Sequence, residues 1–92
     1  DKSLIYVGRR STSDIQIEDP QISRDHLQLR AHDGRFIIFD LDSTGGTLIN
    51  GKRIKSAFLF PGDVITIGSS HLIYTQDMTD GYSSTTKLEI EN

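Results

Sequence analysis

The chain is 92 residues long, has no cysteine and carries a formal net charge of −3, with a pI near 5.4. That length allows one domain with one core, held without disulfides or a thiolate metal site, which fits a reducing compartment. The acidic balance excludes a broad polyanion-binding surface, no apolar run approaches the roughly 20 residues of a membrane-spanning helix, and the first residues do not read as a secretory leader. Six of the ten cationic residues are nonetheless arginines, so a small basic patch on an acidic background is compatible with the composition.

In chain order, Leu4-Ile5-Tyr6-Val7 is a short β-prone run ending at Gly8, and Ile15-Gln16-Ile17 alternates apolar and polar residues. Ser11 to Asp14 joins them as a loop, and Asp19-Pro20 marks a break, because proline lacks a donor and disfavours helix before it. Leu27, Leu29 and Ala31 alternate at period two, which predicts a strand. Asp33-Gly34 then predicts a tight hairpin into Phe36 to Leu41. Asp40 to Thr47 is a polar, glycine-rich loop. Leu48-Ile49, Asn50-Gly51 and Lys52 to Ile54 predict a second hairpin, Pro61-Gly62 suits a type II turn, and Val64 to Ile67 and Leu72 to Tyr74 read as two more strands. No stretch keeps a helical period over 11 residues, and no internal repeat is present. The pattern predicts an all-β fold, a two-sheet β-sandwich.

Three segments carry chemistry. Ile22-Ser23-Arg24-Asp25-His26 places a hydroxyl, a guanidinium and an imidazole together ahead of a strand. Val7-Gly8-Arg9-Arg10-Ser11 ends an apolar run, and Ser43-Thr44-Gly45-Gly46-Thr47 sits in a turn. Arginine's planar fork matches phosphate or carboxylate oxygens, and a serine hydroxyl adds one more donor. Each piece taken alone has a plainer reading: a solvated Arg-Arg loop, a turn serine, a hydrogen-bonded structural histidine, an ordinary Gly-Gly turn. A hydrolase reading is weaker still. Ser23 lacks a nucleophile-elbow context, and no motif supplies a base or an oxyanion hole.

The order of these elements resembles the forkhead-associated (FHA) domain, a phosphothreonine-binding module. The residues that carry the resemblance are Gly8-Arg9, Ser23-x-x-His26, Ser43-Thr44-x-Gly46-Thr47, Asn50-Gly51 and Gly62-Asp63-x-Ile65-x-Ile67-Gly68, within roughly Leu4 to Tyr74. The resemblance implies a sandwich whose loops at one end bind a phosphopeptide, with no catalysis, no cofactor and no metal. Arg9, Ser23, Arg24 and Thr44 match phosphate-contacting positions. Arg10 and Gly45 fall on the loops expected to meet the peptide, and Gly8, His26, Asn50 and Gly51 on positions expected to brace them. Expected partners are a phosphothreonine protein or peptide and an upstream Ser/Thr kinase, not nucleic acid or membrane, in the cytoplasm, or the nucleus of a eukaryote. The alternative is a phospho-independent docking or oligomerisation domain of the same fold.

Two departures bear on that expectation. The family usually has asparagine where this chain has Gly45, and that side chain holds the ligand's main chain beside the phosphothreonine. The family also begins with another strand and hairpin before the Gly-Arg strand. The expected layout is therefore a sandwich over 1–75, a flexible Ser/Thr-rich tail over 76–86, and an extra strand over 87–92, where Leu88 and Ile90 alternate with charged residues. That strand would fill the open edge within one molecule or by exchange in a homodimer. Thr79, Thr85 and Thr86 are expected kinase targets whose phosphorylation would dock the tail into a binding site, against the plainer reading of a solvated linker.

Overall fold

The computed structural model describes residues 3–79 and 83–91, with side chains described to Thr75 and at Leu88 and Ile90. Every regular element among these residues is a strand: β1 Leu4–Gly8, β2 Ile15–Gln16, β3 Leu27–His32, β4 Arg35–Asp40, β5 Thr47–Ile49, β6 Lys52–Ile54, β7 Ser56–Phe58, β8 Val64–Ile67, β9 Ser70–Thr79 and β10 Ser83–Glu91. They form two five-stranded sheets, ordered β2-β1-β3-β4-β7 and β10-β9-β8-β5-β6. The predicted two-sheet sandwich is the fold.

Period-two alternation decides which way each strand faces. In the first sheet the register aligns Ile5, Leu29, Ile38 and Ala57 across four strands, and in the second it aligns Ile49, Ile65 and Leu72. These rows face each other. With Val7, Ile17, Ile22, Leu27, Leu59, Ile67 and Tyr74 they make one core. Both predicted hairpin turns have their two central residues at positive φ: Asp33 (51°) and Gly34 (76°), and Asn50 (52°) and Gly51 (83°). That backbone twist matches the flanking strands.

The strand layout departs from the expected one at three places. β7 is a three-residue edge strand on β4, too short to show alternation and preceded by no turn signal. The segment 76–86, expected as a tail, is strand on both sides of 80–82, which lie outside the described residues. β9 continues to Thr79 and pairs with β10 from Ser83↔Thr79 to Glu91↔His71. Threonine is β-branched and favours strands however polar the stretch, so a Ser/Thr-rich composition misleads here. Of the edge strand expected at 87–92, residues 87–91 are part of β10, paired with β9 of the same chain, and residue 92 lies outside the described residues. The side chains of Thr79, Thr85 and Thr86 lie outside the described residues.

The sandwich has two distinct ends. The β1–β2, β2–β3 and β4–β5 loops meet at one end, where Arg9 N–H donates to Ser23 O and Leu41 N–H to His26 O. The β3–β4, β5–β6 and β7–β8 turns occupy the other.

Candidate functional site

Gly8 sets the site's geometry through close approach. A Cβ on Gly8 would stand 2.1 Å from the Arg24 carbonyl oxygen, so only glycine lets the end of β1 run beside residues 23–26. This approach is sealed by Arg9 N–H to Ser23 O at 3.1 Å, Arg10 N–H to Arg24 O at 3.2 Å and His26 N–H to Val7 O at 3.1 Å. Arg9 Nε donates to Ile22 O at 3.0 Å. That bond fixes the guanidinium while leaving both Nη groups without a partner among the described residues.

His26, fully buried, joins two loops. Ser23 N–H donates to its Nδ1 at 3.0 Å, and its Nε2 lies 2.9 Å from Gly46 O. A nitrogen that accepts cannot carry the proton, so Nε2–H is the donor to Gly46. Ser23 Oγ accepts from Thr44 N–H at 3.0 Å, which keeps its own proton available for an acceptor outside. Histidine and serine together therefore hold the Thr44 loop against the Ser23 loop.

Asp40 shapes the Thr44 loop from beneath. Its carboxylate accepts from Ser43 N–H (3.1 Å), Ser43 Oγ (2.5 Å) and Thr47 Oγ1 (2.7 Å), and Ser43 Oγ accepts from Gly46 N–H at 3.0 Å. Burial works to raise the Asp40 pKa, but the Ser43 and Thr47 donors outweigh it and hold the carboxyl below its ordinary value. Gly46 sits at φ 84°, and a Cβ there would come within 2.8 Å of the Arg53 guanidinium carbon. The Arg53 guanidinium thus packs directly against Gly46.

Arg9, Ser23, Thr44 and Gly45 line one open concavity of about 450 Å³, together with Pro20, Gln21 and Ile22. Arg24 is exposed beside it and does not line it. Arg10, expected on a loop that meets the peptide, does not line it either: its Nε and Nη2 bind both Asp25 oxygens, at 3.1 and 3.0 Å, in an exposed pair. The Arg10 hydrogen bond holds the Asp25 carboxyl below its ordinary value, and the same bond raises Arg10.

Asn50 and Gly51 do not brace these loops, contrary to expectation. Asn50 Nδ2 donates to Asp63 at 2.9 Å and its Oδ1 accepts from Val64 N–H at 3.0 Å, locking the β5–β6 turn to the β7–β8 turn at the opposite end. The sequence reading also missed Asp40 and Arg53. The Asp-x-x-Ser spacing, in which an aspartate accepts from a backbone N–H a few residues on, was the legible signal for the first. Arg53 had none, since its neighbour Gly46 is on another strand connection.

The FHA domain family model matches residues 5–68. The chain belongs to the FHA domain family. It is 34% identical over 74 residues to the glycogen accumulation regulator GarA of Mycobacterium tuberculosis, covering 80% of this chain and 46% of that protein. The chain thus spans about half the length of the curated relatives it matches. Among solved structures it is similar to the FHA-2 domain of a Mycobacterium tuberculosis ABC transporter (TM-score 0.74, 35% identity, 100% of this chain and 79% of that one). It is also similar to an FHA domain described for its phosphothreonine-dependent interactions (TM-score 0.76, 32% identity, 79% and 76% covered). FHA domains are non-catalytic signalling modules that bind phosphothreonine, and three of the expected phosphate contacts, Arg9, Ser23 and Thr44, line this one concavity.

Proposed function

We propose that this FHA domain binds proteins phosphorylated on threonine by a Ser/Thr kinase, with Arg9, Ser23 and Thr44 holding the phosphate and Arg24 adding charge at the rim. The observation that carries this reading is the state of Arg9. Its guanidinium is anchored through Nε, both Nη groups are free among the described residues, and it lines the same concavity as Ser23 and Thr44. A phosphothreonine brings about −1.5 to −2 charge and three acceptor oxygens, which a guanidinium fork and two hydroxyls match. An aspartate or glutamate in the ligand offers fewer acceptors and less charge.

A binding role without catalysis is supported by His26. Its Nδ1 is occupied by Ser23 N–H and its Nε2 by Gly46 O, so neither nitrogen is left to activate Ser23 Oγ. Among the described residues no helix is long and apolar enough to cross a membrane. A cytoplasmic or nuclear kinase pathway is the setting that suits such a reader.

The test is calorimetry with matched phosphothreonine, phosphoserine and unmodified peptides, repeated on Arg9→Ala. Charge-assisted bonds contribute roughly 1.5 to 3 kcal/mol each, so Arg9→Ala should weaken phosphothreonine binding by about tenfold to a hundredfold or more. Equal affinity for the phosphorylated and unmodified peptides would end the proposal.

A further inference from the structure

Strand register exposes a second surface that shares no residue with the lining of the concavity. On the outer side of the β2-β1-β3-β4-β7 sheet, one row runs Leu4, Arg30, Ile37, Phe58 and the next Tyr6, Gln28, Phe39, Ser56. Of the five large apolar side chains left exposed among the described residues, Leu4, Tyr6 and Phe58 lie in these rows and Phe60 follows at the end of β7. Small monomeric domains seldom keep such a patch on one face without a use for it.

Two arginines are seated in this patch. Arg30 lies 4.5 Å above the Phe39 ring and donates through Nε to Gln28 at 2.7 Å. Arg35 lies over both Phe58 (5.6 Å) and Phe60 (4.6 Å). Stacking on aromatic rings holds a guanidinium flat and leaves its hydrogen-bonding edges open. Neither arginine has a carboxylate partner among the described residues. Of the flanking acids, Asp33 is exposed in the turn, 3.4 Å from His32, and Asp14 accepts from Tyr6 N–H at 2.8 Å. On a chain of net charge −3, these rows hold aromatic rings and cations and, among the described residues, no acid.

We infer that this outer sheet face docks an unphosphorylated protein segment in which carboxylates alternate with aliphatic side chains. Aromatic residues and arginine together are the composition of energetically dominant interface positions. Pre-seated guanidinium forks gain most from carboxylates, and the rings between them from aliphatic contact. A second copy of this chain fits poorly, because two such faces apposed would gather four guanidinium groups on rows that hold no acid among the described residues. The surface is separate from the Arg9 site, so one domain can hold a phosphorylated and an unphosphorylated partner together.

The experiment follows backbone amide shifts of the isotope-labelled chain during titration with a ten-residue unphosphorylated peptide of alternating isoleucine and glutamate. Lysine replaces glutamate in a control peptide, and anionic phospholipid vesicles form a third arm. The expected result is saturable shifts along β3, β4 and β7 with the glutamate peptide only. Arg30→Gln combined with Arg35→Gln should weaken this by about tenfold or more while phosphothreonine-peptide binding, which reports an intact fold, is retained. Arg9→Ala should leave it unchanged, which separates this surface from the phosphate site. No saturable binding, equal binding of the lysine peptide, shifts confined to Arg9, Ser23 and Thr44, self-association through this face, or binding to vesicles and not to peptide would each overturn the inference.

Discussion

Gly8 and Gly45 show two opposite reasons for a glycine in a binding loop. At Gly8 the absence of a side chain is obligatory, because the Arg24 carbonyl fills the space a Cβ would take. Gly8→Ala should push residues 23–26 off the end of β1, at a cost of roughly 1 to 3 kcal/mol. Chemical denaturation reads that destabilisation, and weaker phosphopeptide binding should accompany it because Ser23 moves with its backbone. At Gly45 nothing nearer than the Gln21 carbonyl, at 3.5 Å, opposes a side chain, and φ is not in the left-handed region. Gly45→Asn should therefore fit, and its amide can bond a ligand's main chain. One net hydrogen bond of about 0.5 to 1.5 kcal/mol predicts roughly two- to tenfold tighter phosphothreonine-peptide binding by calorimetry. His26→Ala belongs to the same scale. It removes the link between Ser23 N–H and Gly46 O and should weaken phosphopeptide binding in the same assay, even though the buried imidazole does not reach the concavity.

Elements differ in how much they depend on the rest of the molecule. β3 and β4 form a complete hairpin with a six-pair register and a turn written into Asp33-Gly34. β10 lies at a sheet edge, where its nine-pair ladder with β9 is supplemented by one described apolar anchor, Leu88, half-buried against the core, while Ile90 stays exposed. Backbone pairing with a small buried area is a weak attachment. Leu88→Ala should cost about 1 to 2 kcal/mol, less than a fully buried leucine, and deletion of 83–92 should lower stability further by baring the β9 edge. Urea unfolding of both variants checks this. Phosphopeptide affinity should be little changed, because the site is built on β1, β3 and β5.

At the scale of the whole molecule, two aspartates tie the sheets together. Asp40 organises the connection from β4 in one sheet to β5 in the other. Asp19, in the β2–β3 loop, accepts from Ser69 N–H (2.8 Å) and Ser69 Oγ (2.6 Å) at the β8–β9 turn, and from Gln21 N–H (2.9 Å). The Ser69 hydroxyl is the main reason the Asp19 carboxyl is held below its ordinary value, with the Gln21 and Ser69 amides adding to it. For both aspartates the folded-state pKa lies under the unfolded one. Their stabilisation is thus fully present above the unfolded value of about 3.9 and is lost as pH falls through the lower folded value. Melting temperature should fall steeply below about pH 4, and Asp40→Asn, though less stable at neutral pH, should show a shallower fall over that window.

Local chemistry was legible wherever a residue's role is set by its near neighbours in the chain. Alternation placed nearly every core strand, Asp33-Gly34 and Asn50-Gly51 announced their turns because few residues tolerate positive φ, and the spaced Gly-Arg, Ser-x-x-His and Ser-Thr segments pointed to one anion site. Folding of the chain in three dimensions settled what those segments do to each other. It put Arg10 on Asp25, sent Asn50 to the opposite end of the sandwich, made a strand pair of a Ser/Thr-rich stretch, and seated Arg30 and Arg35 on aromatic rings from neighbouring positions of a sheet. Each of those outcomes depends on pairing between residues distant in sequence, where register and packing decide which side chains meet and no local pattern records the choice.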